Sequence, residues 1–310
     1  MATSAGRGPG RRRPSSSRST GGTRSSAAEV RSRREQILQH VTAARTLEVK
    51  ELAELVGVSA GTLYRDLSAL SEKGMVRVDR GQVLAPTSMD LQTNASFRLG
   101  YDRDRKRNLA LAALSEVGRP RSILMDDSTS AIPLVRGIAE AGSEFGTTML
   151  VTNFLGAAEE LVEVDLEIHL LPGRLDPQLG AVFGPATLAA TRRWRTEVAI
   201  LSAPAIDDGQ VMHLLAESDA IKATMAEQAE RVVLLADSTK FGRTAPHLTF
   251  GADRVDLLVT DSDIAPEQLA PFEAAGTRVI LADPPSGSDR GNRGRPPATA
   301  KPGKKPQQVD

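Results

Sequence analysis

Residues 58–67 read VSAGTLYRDL, and they constrain this chain more than any other stretch. Ser59 stands where a helix cap belongs, and Leu63, Leu67 and Leu70 recur at i, i+4 and i+7, the inward stripe of an amphipathic helix. That spacing leaves Ala60, Gly61, Tyr64 and Arg65 on the open side, with Ser59 and Thr62 at the start. A shorter unit precedes it, with Leu52, Ala53, Leu55 and Val56 as its buried side and Gly57 as its end. A longer one runs from Val30 to about Ala44, with Ile37, Leu38 and Val41 on one face. Gly74 ends the third helix, and Met75 to Leu84 then alternates around Asp79, Arg80 and Gly81, the pattern of a hairpin. Three helices and a hairpin in this order predict a winged helix-turn-helix domain over 29–86.

A helix that hides its leucines and presents small, hydroxyl and cationic residues suits the major groove of double-stranded DNA. Ala60 and Gly61 let the backbone approach closely. Ser59, Thr62 and the first amides suit a phosphate. Arg65 is the candidate for a guanine contact, which is worth roughly 1–3 kcal/mol of discrimination when bidentate. Arg77 and Arg80 on the hairpin would hold the DNA backbone or the minor groove. The alternative for Arg65 and its neighbour Asp66 is a solvated ion pair.

The formal net charge of zero conceals an asymmetry. Residues 1–28 hold six Arg and no acid, and 284–310 hold six basic and two acidic residues. Both stretches are rich in Gly, Ser and Pro, and they are expected to be disordered basic tails. They are either simply solvated or a source of non-specific phosphate contacts. By contrast 87–283 carries 18 basic and 29 acidic residues. An acidic body keeps away from phosphate and leaves DNA to a small head. There is no cysteine, and no two of His40, His169, His213 and His247 are close enough in sequence to suggest local metal ligands. Neither a metal nor a cofactor is called for. No apolar run approaches the roughly 18 residues that span a bilayer, and no apolar segment follows the Arg-rich start. A cytoplasmic protein without membrane attachment is expected.

Residues 87–108 read as a polar, charged linker. From 109 to 283 the rhythm changes to short β-rich runs alternating with helical patterns. The runs are 122–125, 149–152, 166–171, 198–202, 232–236, 257–260 and 279–282. The helical patterns lie near 131–141, 153–162, 184–195, 216–230 and 266–275. This alternation predicts a mostly parallel α/β domain with helices on both faces. Four polar spots fall at strand ends, where open α/β sheets bind ligands. They are Asp126 to Ser130, then Val151, Thr152 and Asn153, then Pro172, Gly173 and Arg174, and finally Asp237 to Lys240. Hydroxyls and amides at helix starts bind phosphate well, although Ser-Thr-Ser there is also an ordinary cap and Thr-Asn an ordinary turn.

The run from Arg34 through Arg80, with VKELAELVGVSAGTLYRDLSALSEKGMVRVDRG, resembles the DNA-binding head of the DeoR family of bacterial transcription regulators. The pieces DDSTS, VTN, PGR, Glu217 with Lys222 in ESDAIKATM, and DSTKFG resemble its sensor domain, which is similar to ribose-5-phosphate isomerase. The resemblance spans about residues 30–262. Tyr64 replaces the first of two basic residues usual in the family. Ser128 replaces a glycine, and Pro172 stands where another glycine is common.

The resemblance implies that Asp126, Ser128, Thr129, Ser130, Thr152, Asn153, Gly173 and Lys240 line an effector site, with Arg174 beside it. Lys240 would neutralise phosphate, and Glu217 and Lys222 would orient the site as an ion pair. The expected function is a repressor of carbohydrate catabolism genes. It would bind operator DNA as a dimer or larger homo-oligomer and be controlled by a phosphorylated sugar or related molecule. The alternatives are an aldose–ketose phosphate isomerase with an appended head, using Glu217, Asp126 and Lys240, and a scaffold that binds DNA through its basic tails.

Overall fold

The computed structural model describes residues 26–72, 75–85, 94–142 and 146–283. Helix α1 (Ala27–Ala44) begins with a reciprocal capping box: the Glu29 amide donates to the Ser26 hydroxyl, and the Ser26 amide donates to the Glu29 carboxylate. The helix thus starts inside the tail expected over 1–28. Strand β1 (Thr46–Glu48) leads into α2 (Val49–Val56), which Gly57 ends in the left-handed region at φ 70°. Helix α3 (Ala60–Glu72) starts at Ser59, whose hydroxyl accepts from the Thr62 amide at 3.2 Å.

Strands β2 (Arg77–Asp79) and β3 (Gln82–Leu84) form the hairpin. Arg80 and Gly81 join them at φ 47° and 79°, the two-residue turn whose twist matches paired strands. Strand β1 pairs with β3 on its other side, giving the order β1-β3-β2. Ile37, Leu38, Val41, Leu52, Leu63, Leu67, Leu70 and Val83 form one buried cluster, so the helical stripes read from the sequence face one another, except that Leu55, expected on the buried side of α2, is exposed. The helix end expected at Gly74, residue 86 at the end of the expected head, linker residues 87–93, and the tail residues 1–25 and 284–310 lie outside the described residues.

The rest of the expected linker carries structure of its own. Helix α4 (Ala95–Gly100) is capped by Asn94, whose side chain accepts from the Phe97 amide at 2.9 Å. Helix α5 (Arg103–Val117) follows it. Its first turns read RDRKRN and look like solvated surface, yet Arg105 is buried against the body. Its later turns bury Leu109, Ala110, Ala113 and Val117, but in its first turns the inward residue is Arg105, held by charge pairing, and apolar periodicity gives no notice of that part.

Beyond it, β4 (Ser122–Met125), β5 (Thr148–Thr152), β6 (Leu166–Leu170), β9 (Thr196–Ser202), β12 (Ala229–Leu235), β14 (Leu257–Asp261) and β15 (Arg278–Ala282) form a single sheet. Its order is β15-β14-β12-β9-β4-β5-β6 and every pairing is parallel. Leu124 lies opposite Val151 on one side and Ala199 on the other. Such near-continuous apolar strands are buried on both faces. Helices α6 (Ile132–Ala141), α7 (Leu155–Leu161), α8 (Pro185–Thr191), α9 (Ala216–Gln228) and α10 (Ala270–Ala274) connect them.

Two antiparallel units were not foreseen. One is the hairpin β7 (Arg174–Asp176) with β8 (Ala181–Phe183), and the other the sheet of β10 (Ala205–Asp207), β11 (Gln210–His213) and β13 (His247–Gly251). Their strands are mostly three or four residues long, too short for a periodicity to declare itself. Among the described residues no helix is long and apolar enough to cross a membrane.

The strand order fixes where a ligand can sit. From β4 the chain builds outward through β5 and β6, then returns to β9 and builds the other way. The crevice between β4 and β9 is therefore the switch point of the sheet, and it opens at the carboxyl ends of those strands.

Candidate DNA-reading face and effector pocket

On α3 Ala60, Gly61, Tyr64 and Arg65 are exposed, as is Ser59 before it, while Thr62 is partly covered. Tyr64 keeps half of its surface in solvent although it is a large aromatic residue. The Arg65 guanidinium folds back on its own helix, with Nε 3.2 Å from the Gly61 carbonyl and Nη2 3.4 Å from the Thr62 hydroxyl. It is held only by exposed groups of its own helix. Arg77 and Arg80 project from the hairpin and are exposed.

Asp66 is not the partner of Arg65. It is buried, and it accepts from Arg33 Nε at 2.6 Å and Arg34 Nε at 2.9 Å. Burial alone would raise its pKa, but the two arginines outweigh burial and hold the carboxyl below its usual range. The pair of arginines on α1 thus fixes the rotation of α3, and Arg65 is left to face outward.

At the sheet switch point, Asp126 continues β4 into a loop that closes on itself. The Ser128 amide donates to Asp126 Oδ1 at 3.0 Å, and the Ser130 amide donates to the Ser128 hydroxyl at 3.1 Å. Asp126 also spans the crevice, because its Oδ2 accepts from the Ser202 amide at the end of β9 at 2.9 Å. Lys222 of α9 is buried between two carboxylates, bonded to Asp126 and 3.3 Å from Asp127. Burial and the adjacent Asp127 push the Asp126 carboxyl up. Burial opposes ionisation of Asp127 too, but Lys222 and Arg98 outweigh it and hold this carboxyl at about 2.

Above this floor lies a cavity of about 230 Å³. Six cationic side chains line it: Arg98, Arg105, Lys106, Lys222, Lys240 and Arg243. Ser128, Thr129, Ser130, Ser202, His213 and Thr239 add polar atoms. Most of the cations are already partnered. Arg105 reaches Asp261 at 3.2 Å and Asp102 at 3.3 Å, with Asp237 and Asp263 just under 4 Å away. Lys240 lies 3.7 Å from Asp237, whose carboxylate closes the turn at Ser238–Lys240 by accepting from the Thr239 amide. Lys106 differs, in that its ammonium donates to the backbone carbonyl of Arg98. Burial, reinforced by Arg98 and Lys240, pushes its pKa down to about 7. Burial also lowers His213 to about 4, so this ring is neutral at pH 7. Among the described residues no cluster of three His, Asp or Glu side chains suits a metal ion.

The structure gathers part of the expected effector set here. Ser128, Thr129, Ser130, Lys222 and Lys240 line the cavity, and Asp126 lies beneath it. Thr152 and Asn153 are packed inside the protein instead. The Thr152 hydroxyl accepts from the Phe154 amide at 3.0 Å, and the Asn153 amide group donates to the Val182 carbonyl at 3.2 Å. Gly173 serves close packing, since a Cβ there would fall 2.1 Å from the Thr187 hydroxyl and 2.8 Å from the Phe183 carbonyl. Glu217 and Lys222 do not form the expected ion pair. Glu217 meets Arg174 at 2.6 Å on the exposed surface, whereas Lys222 turns inward to the two aspartates one helical turn on.

Arg98, Arg105, Lys106, His213 and Arg243 escaped the sequence reading. The run RLGYDRDRKR held the signal for the first three: a cation-dense stretch directly before the first body strand.

Residues 33–88 match the DeoR-like helix-turn-helix domain, and residues 102–262 match the DeoR C terminal sensor domain. The HTH-type transcriptional regulator GlpR of Haloferax volcanii is 27% identical over 249 residues, covering 80% of this chain and 96% of that protein. The glycerol-3-phosphate regulon repressor of Escherichia coli K12 is 28% identical over 218 residues, covering 70% and 84%. Among solved structures, ribose 5-phosphate isomerase A from Neisseria gonorrhoeae aligns with 45% of this chain and 54% of its own, at 16% identity and a TM-score of 0.33, a likeness too slight to bear on function. With both of its halves matched in the order head then sensor, the chain belongs to the DeoR family of DNA-binding transcription regulators.

Proposed function

We propose that this regulator represses genes of carbohydrate catabolism and that a phosphorylated sugar or polyol, bound in the cavity at the sheet switch point, weakens its hold on the operator. The observation that carries the reading is the cavity itself: small, ringed by six cations, and floored by a serine-rich loop. Phosphate gains most from charge-assisted bonds to Lys and Arg together with loop hydroxyls. Ser128, Thr129, Ser130, Lys106, Lys240 and Arg98 are the proposed phosphate and sugar contacts, with Asp102 and Asp237 available to accept from sugar hydroxyls. A repressor of a glycerol-3-phosphate regulon among the relatives agrees with this chemistry.

On the DNA side, Tyr64 and Arg65 read bases. Ser59, Ala60, Gly61 and Thr62 seat the helix on the backbone, and Arg77 and Arg80 hold the flank. Two heads in a homo-oligomer would span two half-sites of an operator. The isomerase reading loses one of its three groups, because Glu217 lies outside the cavity and is paired with Arg174.

The test is a titration of operator binding by the full chain, with and without glycerol 3-phosphate, glucose 6-phosphate and fructose 1-phosphate. At least one of them should lower operator affinity about tenfold or more. If none changes it, the effector reading is wrong.

A further inference from the structure

Three residues on one short helix are committed to three different places. Ala95 of α4 is buried in the core of the sensor body, and its amide donates to the Gln178 carbonyl at 2.8 Å. Phe97 is 2% exposed and packs in the core of the DNA-binding head, in the cluster that includes Ile37, Leu63 and Leu67, and it also borders the effector cavity. Arg98 reaches into the effector cavity. Successive helical residues point about 100° apart, so one turn can serve all three at once.

Arg98 rests on two backbone carbonyls and one longer ion pair. Its Nη1 donates to the Asp127 carbonyl at 2.7 Å and its Nη2 to the Leu179 carbonyl at 3.5 Å, while the Asp127 carboxylate is 3.7 Å away. The guanidinium lies 5.8 Å from the centre of the Phe154 ring, and Nε is buried without a hydrogen-bond partner. The carbonyl of Arg98 in turn accepts from Lys106. The two cations that tie α4 to the cavity, Arg98 of α4 and Lys106 of α5, therefore make their short hydrogen bonds to backbone carbonyls, and the Asp127 carboxylate is a longer partner of Arg98.

We propose that α4 is the relay between pocket and head, and that an anionic effector works it by taking Arg98 and Lys106 away from those carbonyls. This rests on the effector reading above. A phosphate dianion is a stronger acceptor than a peptide carbonyl, so it competes for both cations at once. Movement of Arg98 carries the backbone of α4, and Phe97 travels with it. A close-packed head core cannot absorb that displacement locally, so the helices around Phe97 rearrange and α3 changes its presentation. The effector thereby favours one arrangement of the head, which is what coupling between two sites requires.

The experiment uses the full chain and a duplex that the wild-type protein selects from a random pool. Operator affinity is measured for wild type, Phe97→Ala, Arg98→Ala and the double variant, first with no effector. A single relay predicts that each single change lowers affinity about tenfold and that the double is no worse than the stronger single. Additive losses, or singles within about twofold of wild type, overturn the relay.

The second arm adds whichever of glycerol 3-phosphate, glucose 6-phosphate and fructose 1-phosphate acts on wild type. Because Phe97 also borders the cavity, its effector affinity is first measured by calorimetry, and at a saturating concentration the operator response of Phe97→Ala should fall below about twofold. A full response in Phe97→Ala overturns the relay. If wild type responds to none of the three, the effector reading falls, and the effector-free cycle still decides the relay. Should Phe97→Ala melt the head, Phe97→Leu carries the same comparison with most of the apolar volume kept.

Discussion

The head and the body treat charge in opposite ways. The head buries one carboxylate, Asp66, saturates it with Arg33 and Arg34, and leaves Tyr64, Arg65, Arg77 and Arg80 exposed. The body draws Asp126, Asp127, Lys222 and Arg105 inside and lines a partly open cavity with six cations and three carboxylates. A surface that reads a duplex can be built from exposed residues on a rigid helix, because the ligand comes to it from outside. A cavity for a small anion must desolvate its ligand, so the charges beneath it are buried in pairs, Lys222 between Asp126 and Asp127, while Arg98 and Lys106 rest on carbonyls that an anion can replace.

The largest effect that would break this contrast is expected at Lys222. Lys222→Ala leaves two buried carboxylates without their shared cation, which should cost about 3–5 kcal/mol of stability in urea unfolding. A loss near zero would mean that the body does not depend on its internal charges.

Asp66→Ala should cost about 2–3 kcal/mol, since it removes two charge-assisted bonds and leaves Arg33 and Arg34 partly exposed. The folded pKa of Asp66 is below its unfolded value, so its contribution is present above that unfolded value, near pH 4, and is lost as pH falls through the folded one. Acid titration of wild type against Asp66→Asn measures it. A parallel pair of curves would remove Asp66 as the lock of α3.

The exposed side of the comparison is tested next. Tyr64→Ala and Arg65→Ala should each cost about 1–3 kcal/mol of sequence discrimination, read by anisotropy on matched and mismatched duplexes, with little change in unfolding. Loss of stability without loss of selectivity would reverse the assignment.

The smallest effect sharpens the account of the cavity. Lys106 has its pKa lowered to about 7, so it is charged below that pH and neutral above it. Arg98 and Lys240 face it as cations, and Asp102 and Asp237 face it as carboxylates. Sugar phosphates become dianions above roughly pH 6. Their affinity should peak between about pH 6 and 7 and fall by at most about tenfold per unit above 7. Lys106→Arg should flatten the alkaline fall, and a fall that persists unchanged would exclude Lys106 as the titrating group.

Much of this molecule was legible in its residues, for reasons that differ by region. The leucine stripe of α3, the cap at Ser59, the stop at Gly57 and the turn at Arg80-Gly81 are local signals, each acting within about one helical turn or one hairpin. The seven sheet strands also announced themselves as apolar runs. Thr152, Asn153 and Gly173 looked like ligand groups because a strand end looks alike whether its polar atoms face a cavity or the packed interior. Arg98, Arg105 and Lys106 looked like a solvated linker because nothing local distinguishes a charge bound for water from one bound for a carbonyl or carboxylate that the fold brings to it.

The amino-acid order therefore determined the head, the strand–helix alternation and the loop that floors the cavity, since periodicity and capping act between near neighbours. Only the folded chain decided which charges meet: Arg105 with Asp261, Lys222 with Asp126, and Arg98 between pocket and head. Those pairings join residues up to 156 positions apart. The sheet order sets them, and long-range pairing leaves no trace in the spacing of a single chain.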